Sequence, residues 1–121
     1  MGIATCIDRL KKGLLPTVLI DVDDPSISEP GVFVYYDGAK GVDIGVVRRD
    51  FSILCSGFSL SGASELTQML EEVEGAICHM GLVVNGVTYE RTHPVVVTDT
   101  GLYIYKIDVS VIDSNRTRKY G

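Results

Sequence analysis

The sequence predicts an α+β fold: a mixed, mostly antiparallel sheet of four or five strands, one long amphipathic helix on one face, and an N-terminal helix beside it. Three observations carry that prediction. Leu66, Met69, Leu70, Val73, Ile77 and Met80 recur at i, i+3, i+4, i+7, i+11 and i+14, the period of a helix with one apolar stripe. Tyr103, Tyr105, Ile107, Val109 and Val111 alternate with Lys106, Asp108 and Ser110, the period of a half-buried strand. Two further runs, residues 32–36 and 46–55, are rich in β-branched and aromatic side chains, which suit a pleated surface.

Taken in order, the chain begins with a helix. Ile3, Cys6, Ile7, Leu10 and Leu14 form one stripe, with Asp8, Arg9, Lys11 and Lys12 off it. Lys11 and Lys12 fall in the last turn, where cations suit the helix dipole, and Gly13 and Pro16 supply the stop. Residues 17–21 form a short strand. Asp23, Asp24, Pro25, Ser26, Ser28, Glu29 and Pro30 then make a loop by composition. After the strand at 32–36, residues 37–45 hold Gly38, Gly41 and Gly45 among polar side chains. That stretch reads as a mobile hairpin loop or arm. In 46–55, Val47, Phe51, Ile53 and Cys55 share one face and Arg48, Asp50 and Ser52 the other, with Arg49 breaking the apolar side.

The long helix is expected over residues 61–80, with Ser61 as N-cap and Gly81 as its end. Gly75 inside it costs about 1 kcal/mol against alanine and marks a close approach to a neighbouring strand. Asn85-Gly86 is a hairpin signal leading into a strand at 87–98. Pro94 lacks an amide donor and places an edge or a bulge there. Residues 99–101 turn the chain into the strand at 102–112. The expected domain is residues 1–113, followed by a basic tail, 114–121.

Composition bounds the function. The chain has 121 residues, 45% hydrophobic and 22% charged, enough for one modest core and unlike a disordered chain. A formal net charge of -5 disfavours stable nucleic-acid binding, which needs a basic excess. It suits a passage through which DNA slides. Cys6, Cys55 and Cys78 have no CxxC or Cys/His spacing and read as small buried hydrophobes in a reducing compartment. Asp8, Arg9, Lys11 and Lys12 interrupt the apolar start, so it does not read as a signal sequence. No stretch has the length of a membrane-spanning helix.

No reaction centre is legible. His79 and His93 lack Cys, Asp or Glu partners at metal-ligand spacing. Asp21, Asp23 and Asp24 lack the spacing and terminal glutamate of a calcium loop. Ser56-Gly57-Phe58-Ser59 is not a GxSxG elbow. The glycines between Gly38 and Gly45 match neither a phosphate loop nor a dinucleotide fingerprint. The expectation is a non-enzyme with no cofactor and no metal.

Five stretches, in this order, carry a family resemblance: Val32-Phe33-Val34-Tyr35-Tyr36-Asp37-Gly38; Val46-Val47-Arg48-Arg49-Asp50-Phe51-Ser52-Ile53; residues 63–77; Gly86-Val87-Thr88-Tyr89-Glu90; and residues 103–112. The chain resembles the tail terminator (tail-completion, or minor capsid) proteins of long-tailed bacteriophages over residues 1–113. Its motifs there are patterns of residue type. Residues 23–30 depart from the family pattern. The resemblance implies a hexameric ring at the head-proximal end of the tail in the virion, assembled in the host cytoplasm. The ring would stop tube polymerisation and meet the tail tube protein and the head connector. DNA would pass its lumen without specific binding, and no membrane is involved. It carries over no catalytic residues.

Exposed strand edges would pair across subunits in such a ring. Tyr36, Asp37, Lys40, Asp43 and Arg48 in the arm, with Arg116, Arg118 and Lys119 in the tail, are the candidate assembly interface. Glu65, Glu71, Glu72 and Glu74 are the candidate acidic lumen or partner face. A head-completion or connector adaptor, and a small non-enzymatic binding module, remain as alternatives.

Overall fold

A computed structural model of the chain describes residues 2–14, 17–24, 26–62, 64–83 and 86–114. The elements run α1 (Ile3–Gly13), β1 (Leu19–Asp21), β2 (Gly31–Asp43), β3 (Val46–Gly57), α2 (Glu65–Val83), β4 (Val87–Val97) and β5 (Tyr103–Ser114). The five strands form one sheet in the order β1-β2-β3-β5-β4. β1 runs parallel to β2; every other pair is antiparallel. The fold is the expected α+β, mixed and mostly antiparallel.

Both helices cover the same face. From α1, Cys6, Leu10 and Leu14 join Leu66, Leu70, Val73, Ile77 and Met80 of α2 in the main core. The sheet contributes Val34, Phe51, Ile53, Cys55, Ile107, Val109 and Val111 to it. Each large side chain so buried contributes roughly 1.5–3 kcal/mol. The parallel β1–β2 pair needs a crossover, and the loop after β1 supplies one across the opposite face. There Ile27 packs with Phe33, Leu54, Leu102 and Ile104 in a second, smaller core. Ile27 thus covers apolar sheet surface on the face opposite the helices.

Several boundaries differ from the sequence reading. The helix stop falls at Gly13 as expected, with Leu14 as the capping residue, while Pro16 lies outside the described residues. The N-cap of α2 is Ser64, not Ser61: the Thr67 amide donates to Ser64 Oγ at 3.2 Å. Ser61 contributes its carbonyl instead, accepting from Thr67 Oγ1 at 2.7 Å. Gly81 does not end the helix, which continues to Val83. Its small size serves packing, because a Cβ there would lie 2.9 Å from the Val87 carbonyl oxygen. Gly75, by contrast, faces open space. Of the expected hairpin dipeptide Asn85-Gly86, Asn85 lies outside the described residues; Gly86 directly precedes β4, and Val83 belongs to α2.

The largest correction concerns residues 37–45. They are not a loop. β2 continues through them to Asp43, with register shifts at Tyr36/Gly38 and Gly41/Asp43, and a two-residue connection, Ile44-Gly45, leads into β3. Gly45 adopts φ 72°, a left-handed conformation that glycine takes without a steric penalty. β3 is then paired on its other side by β5 as far as Val46↔Ser114. A polar, glycine-rich pattern hides a strand here because ladder hydrogen bonds, and not a buried face, hold it.

Candidate assembly surfaces

The sequence-predicted interface residues do not form one surface. Tyr36 lies on the helix-covered face. Its ring packs on Phe51 with centroids 5.4 Å apart, and its hydroxyl accepts from Arg49 Nη1 at 3.0 Å. Arg49, the break in the apolar face, donates from Nε to Asp113 Oδ2 at 2.7 Å, and Asp113 is only 1% exposed. The Asp113 hydrogen bond holds the Arg49 guanidinium pKa above its ordinary value, against the opposing effect of burial. Burial, and then the Asp113 charge, push the nearby Cys6 thiol up. This group pins the end of β5 to β3, and Tyr36 belongs to it.

Asp37 and Arg48 lie instead in a concavity of about 440 Å³ on the helix-free face, with Asp50, Glu90, Arg91, Lys106 and Asp108. Opposite charges alternate around it. Ser52 Oγ donates to Asp37 Oδ2 at 2.7 Å. Lys106 Nζ stands 3.5 Å from Asp37 and 3.7 Å from Asp108. Arg91 donates to Asp108 at 3.1 Å, and Arg48 lies 3.2 Å from Asp50. Burial works to lower the Lys106 pKa, but Asp37, Tyr35 and Asp108 outweigh it, so the net direction is upward. A lysine kept charged in this way is a poor nucleophile or base. The chemistry of the concavity is mutual neutralisation.

Lys40 and Asp43 are exposed near the tip of the β2–β3 hairpin, where Asp43 accepts from the Ile44 amide at 2.7 Å. Arg116, Arg118 and Lys119 lie outside the described residues. The acidic set divides as well. Glu65, Glu71 and Glu72 are exposed on α2. Glu74 is turned inward: it accepts from Thr92 Oγ1 at 2.5 Å and from the Tyr89 hydroxyl at 3.5 Å. Each residue advances about 100° around a helix, so Glu74 sits across α2 from Glu65 and cannot share a lumen face with it.

Sequence reasoning missed a set of exposed apolar side chains. Val42 and Ile44 are 58% and 83% exposed at the hairpin tip. At the other end, Phe58 and Leu60 follow β3, and Val95, Val96 and Val97 close β4; all five are exposed. Gly57 and Val97 both pair with Tyr103, so the two groups flank the start of β5. A mostly apolar groove of about 320 Å³ runs beside Phe58, lined also by Leu66 and Met69 with Glu65 at its rim. The signal available in the sequence was the run Val95-Val96-Val97, which no alternating strand can bury completely.

The strand edges are poor templates for ladder extension. β4 carries Pro94 and register breaks at Tyr89/Arg91 and Pro94/Val96. Within its pairing to β3, β2 shifts register at Tyr36/Gly38 and Gly41/Asp43. Prolines and bulges at edges oppose strand addition. Among the described residues, no group of three or more His, Cys, Asp or Glu side chains could hold a metal ion, and no helix is long and apolar enough to cross a membrane. No protein-family model matches this chain, and no curated protein matches it.

Proposed function

We propose that this chain is a structural subunit of a long-tailed phage virion. In this reading it is a tail terminator that forms a hexameric ring on the head-proximal end of the tail tube. The ring stops tube polymerisation and joins the tail to the head connector. DNA passes through without specific binding, in keeping with the net charge of -5. The protein is a part of the finished tail, assembled in the host cytoplasm, and does no chemistry of its own.

One observation carries this reading. Exposed apolar side chains stand at both ends of one long sheet, the kind of surface that marks a protein–protein contact. The order of elements supports it: apart from the short β1, an N-terminal helix, the long strand pair β2–β3, the helix α2 and two closing strands. That is the order the family resemblance implies.

The test is tube growth. Purified protein is added to tail tubes that are still polymerising. Arrested tubes bearing a ring at one end, seen by negative-stain microscopy, are the expected result. Tubes that keep growing at stoichiometric excess, with no density at either end, would overturn the reading.

A further inference from the structure

We draw no further inference here: the strongest candidate, the exposed apolar patch of Phe58 and Leu60 after β3 with Val95, Val96 and Val97 at the end of β4, carries nothing because no feature of the structure shows what covers it.

Discussion

β3 is two different environments in one strand. From Phe51 to Gly57 every residue is buried, whichever face it occupies; from Val46 to Asp50 every residue is partly exposed. The first half lies between two layers, the helices on one side and the Ile27 loop on the other. The second half is only partly covered: the helix side still closes over Arg49 and its partner Asp113, while the other side opens into the charged concavity. Its order comes from ladder pairing with β2 and β5 and from the Arg49–Asp113 ion pair. Stability therefore resides at one end of the sheet, and the other end is free to present a surface.

The sharpest break in that comparison is Phe51→Ala, at the boundary. Phe51 is 1% exposed, and its loss should cost about 4 kcal/mol. Ile44→Asp at the tip should change folding stability by less than about 0.5 kcal/mol. Urea unfolding of both variants checks the contrast; similar losses would erase the distinction between the halves.

Asp113→Ala comes next. Removing it strands a guanidinium that is 20% exposed, and breaking a largely buried pair of this kind costs about 3 kcal/mol. The same denaturant titration reads the effect. A loss near zero would mean that ladder pairing alone holds the second half.

Alkali probes the two-layered half. Burial, and secondarily the Glu74 charge, push the Cys55 thiol up to about 12 from 9.0. A raised pKa means that the folded state holds its proton more tightly. This contribution is complete below pH 9.0, and it is lost as pH rises from there to about 12. Cys55→Ala should flatten that part of the stability profile. In the native protein, a thiol reagent should label the exposed Cys78 alone, with Cys6 and Cys55 reacting only after unfolding.

The smallest effect is local. Ser64→Ala should cost about 1 kcal/mol through loss of the cap on α2. Ser61→Ala should cost little, because its hydroxyl does not cap the helix. Thermal melts of the pair decide between the two serines.

Much of the fold was legible in the sequence because its signals are local. The apolar stripes of α1 and α2, the alternation of β5 and the edge proline of β4 each follow from spacing within one element. What was hidden depends on partners far along the chain. The strand character of residues 37–43 comes from pairing with β3. The position of Glu74 is set by Tyr89 and Thr92, and Arg49 finds Asp113 sixty-four residues away. Gly81 is read as a stop signal from sequence, yet the Val87 carbonyl is what requires it. The candidate surface was less legible: Lys40 and Asp43 stand exposed near the hairpin tip, whereas the run Val95-Val96-Val97 reads from sequence as ordinary strand and its exposure depends on what packs beside it.

Amide hydrogen exchange on the intact protein, followed as tail tubes are added, tests the assembly reading most directly. Protection should grow at residues 40–46 and at residues 58–60 and 95–97, while the exposed face of α2 around Glu71 stays unchanged. Amides at both ends of the sheet that exchange at the same rate with and without tubes would contradict it.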